Sequence, residues 1–322
     1  MTDVARKAEV SLGTVSKALS GQGQLAADTR SRVLRAAKEL GFTSTRPHSS
    51  TGFTIGVLST DHVGRFSIPI LEGAEDALGA VEGLMILCES RGDPIRERHY
   101  VRALQSRHVD GILVTGRSSD VRPSLGARLT IPTVYALARS VDHSDLSVTH
   151  DDEGGAALAV AHLLDTGRHQ VALVGGAARH IATRNRERGA LRSLAEAGVA
   201  PVLGGTLYGE WSEQWGREAV ATLLRAGAAF DGVFCFSDQI ARGALDALRE
   251  NGMDVPGTVG VVGVDNWSVM AEAARPPLTT VDLALHSIGR TAASRLLAII
   301  AGEPRPTGVE LVPCGLVRRA ST

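Results

Sequence analysis

The residues best suited to chemistry fall into two groups. The first is a short run near the start of the chain, Ser11-Leu12-Gly13-Thr14-Val15-Ser16-Lys17, where hydroxyls, a glycine and one long cation follow one another. On a helix starting at Ser11, Val15 and Leu19 turn inward with Val4, Ala5 and Val10, while Leu12, Gly13, Ser16 and Lys17 turn outward. Such a small, hydroxyl-rich face can enter a DNA major groove closely and meet base edges with its first-turn side chains. The second group is scattered along the chain. Asp265 follows the apolar run GVVGV, Arg186 heads the helical pattern ERGALRSLAEAG, and Trp211 stands in GEWSEQ just before a helix. Ser237 follows FCF, Asp61 and Phe66 follow GVLS, and Arg117 follows ILVT. A carboxylate accepts hydrogen bonds from hydroxyls, a guanidinium fork grips vicinal hydroxyls or a carboxylate, and an indole stacks on an apolar ring face. Asp238, beside Ser237, suits a helix N-terminus better than a ligand.

Signatures of catalysis are missing. The sequence has no GxxxxGK[ST], no HExxH and no GxSxG, and GQGQLA follows a helical pattern where a dinucleotide fingerprint would follow a strand. His99, His108, His162, His169 and His180 lie on or beside helical patterns without ligand spacing and are expected at the surface. Cys88, Cys235 and Cys314 lie far apart, in or beside apolar runs, and are expected to be structural rather than disulfide-bonded or metal-binding. No enzyme activity, metal or cofactor is expected.

These residues need a scaffold of two kinds. Three short helical patterns fill the first forty residues: DVARKA, with Thr2 as N-cap; a second from Ser11; and a third from about Asp28, placing Val33, Leu34, Ala37 and Leu40 on one face. Each is too short to stand alone, so they must pack together. TSTRPHSSTG, residues 43–52, is rich in Ser, Thr, Pro and Gly and has the composition of a linker. Beyond it, apolar strand runs such as FTIGVL, LMILC, GILVT, LSVTH, VALVGG, DGVFCF and GVVGV alternate with amphipathic helices. That rhythm predicts an α/β body with parallel sheets covered on both faces, divided into two doubly wound subdomains with a ligand cleft between them.

Size and charge agree. At 322 residues, 43% hydrophobic and 21% charged, the chain can bury a core in each of roughly two domains of about 150 residues. No run approaches a membrane span, and Asp3, Arg6, Lys7, Glu9 and Lys17 interrupt any leader, so a cytoplasmic protein is expected. The formal net charge of −1 conceals a basic head: residues 1–50 carry eight Lys or Arg against four acids. A basic head on an acidic body favours nucleic acid as a partner.

The sequence DVARKAEVSLGTVSKALSGQGQLAADTRSRVLRAAKELGF resembles the DNA-binding head of the lactose-repressor/galactose-repressor (LacI/GalR) family. RGDPIRERHYVRALQSRHVDGILVTG, DDEGGAALAVAHLLDTGRHQVALVGG, FCFSDQIARGALDALRENGMDVPGTVGVVGVDN, PPLTTV and SIGRTAASRLL resemble its body blocks, in family order. The resemblance covers essentially the whole chain. It implies a helix-turn-helix head and a periplasmic-binding-protein-like body, and it places Leu12, Gly13 and Lys17 at the principal base-reading positions. Ser11, Thr14, Thr29 and Arg30 are then assigned to phosphates. Lys17 stands where many members have Arg; lacking the planar fork, it is expected to read its base more loosely. In the body the resemblance matches Asp265, Arg186 and Trp211 to ligand-contacting positions, with Ser237 where Asn is common. Ala190 replaces an aromatic.

The implied protein is a repressor, binding a pseudo-palindromic double-stranded DNA operator as a homodimer under control of a small carbohydrate effector. The alternative is a sugar receptor with the same body and no DNA function. The expected boundaries are a head over 1–42, a linker over 43–52 and a body over 53–322. Subdomain one combines about 53–155 with 284–310, and subdomain two about 156–283 with 311–322. Nothing after Val317 resembles a tetramerising heptad tail. The linker departs from the family: Arg46 and Pro47 are the only echoes of its hinge helix, and no leucine is present to wedge into the minor groove. A flexible tether is expected to bend DNA little and to tolerate altered half-site spacing. Circular-permutation gel mobility should therefore show a small bend, and operators with one inserted central base pair should still bind. A large central kink, or abrupt loss on that insertion, contradicts the tether.

Overall fold

The computed structural model describes residues 2–20, 25–40, 53–126 and 129–322. The linker with Arg46, and the side chain of Leu19, fall outside that description. The chain divides into two compact units, 1–52 and 53–322.

In the first unit, α1 (Thr2–Ala8), α2 (Leu12–Ser20) and α3 (Ala27–Glu39) close on a core of Val4, Ala5, Ala8, Val15, Ala18, Val33, Ala36 and Ala37. Thr2 opens α1 instead of capping it. Leu34 and Leu40 do not join the core, being 48% and 44% exposed. The stripe Val33-Ala36-Ala37 follows i, i+3, i+4, which leaves residue 34 about 100° round the helix, and small side chains allow the three short helices to approach closely.

The second unit alternates strand and helix as expected. Its first half is β1 (Thr54–Ser59), α4 (Ser67–Gly79), β2 (Leu84–Glu89), α5 (Pro94–Ser106), β3 (Gly111–Thr115), β4 (Val121–Arg122), β5 (Thr133–Ala136), β6 (Arg139–Ser140) and β7 (Leu146–His150). Then come α6 (Asp152–Asp165), β8 (Val171–Gly175), α7 (Ile181–Glu196), β9 (Thr206–Tyr208), α8 (Glu213–Arg225), β10 (Gly232–Cys235), α9 (Asp238–Glu250), β11 (Gly260–Val264), α10 (Ser268–Ala271) and β12 (Thr279–Asp282). The chain ends with α11 (Leu285–Ile300), β13 (Gly308–Val312) and β14 (Gly315–Val317).

Two six-stranded sheets result, in the orders β13-β7-β5-β3-β1-β2 and β14-β12-β11-β10-β8-β9. All pairings in the first are parallel, and β14 alone runs antiparallel in the second. Central strands bury both faces because alternate residues serve opposite cores. Leu113 points to the cluster under α4 and α11, while Ile112 and Val114 join Leu104 of α5. In the second lobe Val233 and Cys235 face α8 and α9, whereas Phe234 and Phe236 face α6 and α7.

One apolar run departs from the buried-strand expectation. LMILC forms the edge strand β2, where Leu84 is 70% and Leu87 55% exposed, and Val309 and Leu311 of β13, at the other edge, are also exposed. An edge strand lacks a neighbour on one side, and its apolar residues stay uncovered unless another surface meets them.

The chain passes between the lobes at 150–152, 282–285 and 312–315. The last passage lies slightly beyond the expected boundary, because β13 pairs with β7 through Val312. α11 returns to the first lobe and lies against α4 so closely that a Cβ on Gly289 would stand 1.9 Å from the carbonyl oxygen of Ile70, and one on Gly73 1.9 Å from that of His286. Gly289→Ala should destabilise the protein by about 1–3 kcal/mol or more through overpacking against backbone. Gly79→Ala, where an added Cβ meets nothing within 4 Å, should change stability by less than about 1 kcal/mol. Urea unfolding of the two variants checks the contrast.

Candidate functional site

In the head, the Ser11 hydroxyl accepts a hydrogen bond from the Thr14 N–H at 3.2 Å and lies 2.9 Å from the Thr14 hydroxyl, fixing the start of α2. Leu12, Gly13, Ser16 and Lys17 are exposed on that helix, with Val15 and Ala18 buried behind them. Thr14, Thr29 and Arg30 are half-buried. The exposed face holds an apolar contact, a close-approach glycine, a hydroxyl and a cation, the set a major-groove reader needs.

In the body, a cavity of about 450 Å³ opens at the carboxyl ends of the strands of both lobes. Asp61, Phe66, Arg117, Arg186, Trp211, Ser237 and Asp265 all line it. Their roles differ. Asp61 accepts the N–H groups of Gly64, Phe66 and Ser67, shaping the loop that leads into α4. Ser237 caps α9 by accepting from Ile240 N–H at 3.2 Å. Arg117 is exposed on the rim and makes no hydrogen bond or ion pair among the described residues.

Arg186 is locked into the floor. Its Nε donates to Asp152 Oδ1 at 2.7 Å and its Nη1 to the Phe236 carbonyl. His150 Nε2 lies 3.0 Å from the same Asp152 oxygen. Burial alone would raise the Asp152 pKa, but the neighbouring His150 and the Arg186 guanidinium hold its carboxyl well below the usual range. Trp211 lies flat on Gly176, where a Cβ would come within 2.3 Å of the indole, so only glycine admits this placement. Its ring sits 5.9 Å from the Arg186 guanidinium.

The strongest cross-cleft contacts involve residues the sequence did not single out. Arg65, on the first lobe, donates to the carboxylate of Asp265 and, through Nη1, to Gln239 Oε1 at 2.9 Å. Its guanidinium lies 4.8 Å from the Phe66 ring centre and 4.5 Å from that of Trp267. Asp265 adopts φ +119°, uncommon outside glycine, as β11 turns its carboxylate to this cation. On the other lip Asp120 Oδ1 accepts from Ile181 N–H at 2.9 Å, and Oδ2 lies 2.8 Å from His180 Nδ1. Burial works against ionisation of Asp120, yet the bonds from Ile181 and His180 keep its pKa low.

His180 is thus part of the cleft and His162, buried and 2.8 Å from the Thr322 hydroxyl, part of the interior, contrary to the surface expectation for both. Neither partner is near in sequence, which is why spacing gave no sign of them. Cys235 is buried, Cys88 and Cys314 are half-buried, and all three are free. Burial pushes the Cys314 thiol up to about 12.

Residues 1–44 match the family model described as bacterial regulatory proteins, lacI family, and residues 160–322 match the periplasmic binding protein-like domain. The HTH-type transcriptional regulator RegA of Clostridium saccharobutylicum is 34% identical over 311 residues, covering 92% of this chain and 91% of its own. The chain belongs to the lacI family of bacterial regulatory proteins. Among solved structures of similar fold, the CelR–cellobiose complex is 29% identical with a TM-score of 0.67, covering 99% of this chain and 98% of its own. The Lac repressor dimer bound to operator and the anti-inducer ONPF is 26% identical with a TM-score of 0.66, covering 99% and 97%. Membership of the lacI family makes this chain a DNA-binding transcriptional regulator and sets aside the receptor without DNA function. Among the described residues no helix is long and apolar enough to cross a membrane.

Behind the wall of the regulator's cleft lies a carboxyl group held against its normal ionisation. Asp238, fully buried, accepts from Trp267 N–H at 2.8 Å and from the Thr280 hydroxyl at 2.5 Å. Burial, reinforced by the neighbouring Asp265, pushes its pKa up to about 8. The folded state therefore holds this proton more tightly than the unfolded chain, so the contribution to stability declines as pH rises from about 4 to about 8 and levels off above. Asp238→Asn should remove that decline and gain on wild type by on the order of 1–3 kcal/mol between pH 5 and pH 8. Urea unfolding at the two pH values measures it; a wild-type difference that persists in the variant rules Asp238 out as its source.

Proposed function

We propose that this lacI-family chain is a repressor that binds a pseudo-palindromic operator as a homodimer and responds to a carbohydrate held in the cleft. The observation that carries the reading is the make-up of that cleft. Residues of both lobes converge on it, with Trp211, Trp267 and Phe66 offering ring faces beside the carboxylate of Asp265 and the guanidinium of Arg186. Aromatic faces with hydrogen-bonding groups around them suit a pyranose, apolar on its faces and hydroxylated at its edge. CelR, solved with cellobiose, supports the same ligand class.

The exposed face Leu12-Gly13-Ser16-Lys17 reads base edges, while Ser11, Thr14, Thr29, Arg30 and Arg46 position the head on phosphates. The uncovered apolar residues of the β2 edge and α4, Leu84, Leu87 and Ile68, favour a second copy as their cover, as does the dimeric state of the operator-bound Lac repressor. The protein acts by binding alone, in the cytoplasm, where its DNA lies. Control is linkage: a ligand that binds one degree of cleft closure more tightly shifts the population toward it. To enter, a sugar must compete with Arg65 for Asp265 or add to that pair.

Two measurements test the reading. On a duplex selected from random sequence, Lys17→Ala should cost roughly 1–3 kcal/mol and flatten discrimination at one base pair per half-site, with little loss on random DNA. Equal losses on both refute the base-reading role. In a thermal-shift screen of mono- and disaccharides, a binder at 100 times its Kd should add about 2.7 kcal/mol, and Trp211→Ala should weaken it by about 1–3 kcal/mol. If no carbohydrate shifts the transition, the effector belongs to another class.

A further inference from the structure

A second depression lies on the α5 side of the first sheet, separated from the cleft only by the loop after β3. It is a groove of about 1040 Å³ at the carboxyl ends of β1 and β3, the point where the strand order reverses direction from β1. The cleft occupies the α4 side of the same strand ends, and Arg117, Ser118 and Asp120 line both spaces.

The groove carries uncompensated positive charge. α5 turns Arg98 and Arg102 into it one helical turn apart, and the facing loop adds Arg117 and Arg122. Its two acids are already engaged: Glu97 accepts from Arg122 at 2.6 Å, and Asp120 is held by Ile181 and His180. Arg98, Arg102 and Arg117 are exposed and make no hydrogen bond or ion pair among the described residues. Like charges gathered in one concavity repel unless an anion sits among them. Val101, Leu125 and Leu129 give the same groove an apolar wall.

We propose that this groove binds a phosphorylated small molecule, its phosphate held by Arg98, Arg102 and Arg117 and its organic part against the α5 wall. Three guanidinium groups match the geometry and charge of a phosphate ester, and the volume, more than twice that of the cleft, accommodates a ring as well. The site is separate from the effector cleft, and the loop that carries Asp120 is a wall common to both.

The test is titration of the full chain with inorganic pyrophosphate at constant ionic strength, followed by thermal shift and calorimetry. Pyrophosphate can also meet the basic head, so two double variants are compared with wild type. Arg98→Gln with Arg102→Gln should weaken saturable binding by about tenfold or more, since each lost charge-assisted bond is worth about that factor. Lys17→Gln with Arg30→Gln should leave it within about twofold. Circular dichroism confirms that both pairs fold, which the exposure of Arg98 and Arg102 favours. Absence of saturable binding overturns the proposal, as does binding that survives loss of Arg98 and Arg102. Binding of a polyglutamate peptide without binding of pyrophosphate would also overturn it, making the groove a dock for an acidic protein.

Discussion

Arg65 is the residue on which closure of the body depends. The carboxyl ends of the second lobe's strands bring Asp238 and Asp265 together beneath a roof of aromatic rings, and two carboxylates cannot both ionise there without a counter-charge. The second lobe's nearest cation, Arg186, is engaged by Asp152 and acts on Asp265 only at a distance; the cation that pairs with it arrives from the first lobe. Asp265 takes the ion pair, and Asp238 keeps its proton up to about 8. Opening the cleft would separate Arg65 from Asp265 and leave a carboxylate to find water or ligand in its place. A well-formed buried pair gives specificity of position more surely than it gives net stability. The pair therefore defines one closed geometry without making it irrevocable.

The opposite lip repeats the logic with the signs exchanged. There the acid, Asp120, comes from the first lobe, and the second lobe contributes the N-terminus of α7 and His180. A helix N-terminus with unsatisfied N–H groups is a standing positive pole, and Asp120 reaches across to satisfy one of them. Between the two lips, Arg186 ties α7 to the end of β10 and, through Asp152, to the hinge strand at His150. Arg186, Asp152 and His150 thus link the inner face of the second lobe to the strand that crosses from the first.

Much of this was legible from sequence. The central strands GILVT, LSVTH and GVVGV read as buried because they are, and every cleft residue singled out by its position after a strand lines the cavity. What such placement cannot supply is the division of labour. Asp61 and Ser237 sit at helix starts, where the backbone claims their oxygens, and only coordinates distinguish a capping residue from one facing a ligand. Arg65, Gln239 and Trp267 escaped notice because their meeting joins segments 174 to 202 residues apart, with no local pattern to announce it. Leu34 and the LMILC run misled for a simpler reason: an apolar side chain marks a surface that favours burial, without saying whether the same fold provides the cover.

The route of α11 has a consequence for how the protein comes into being. The first lobe begins at Thr54, yet its close-packed partner for α4 and its edge strand β13 are encoded after the second lobe is nearly complete. A nascent chain cannot finish its first lobe until residues near 300 have left the ribosome. Until then the apolar face of α4, with Ile70 and Ala74, has no α11 to cover it. The second lobe, by contrast, has five of its six strands and four covering helices within one continuous stretch from 152 to 282, and awaits only its edge strand β14. The interleaving thus leaves most of the second lobe able to assemble before the first lobe has the helix that covers α4.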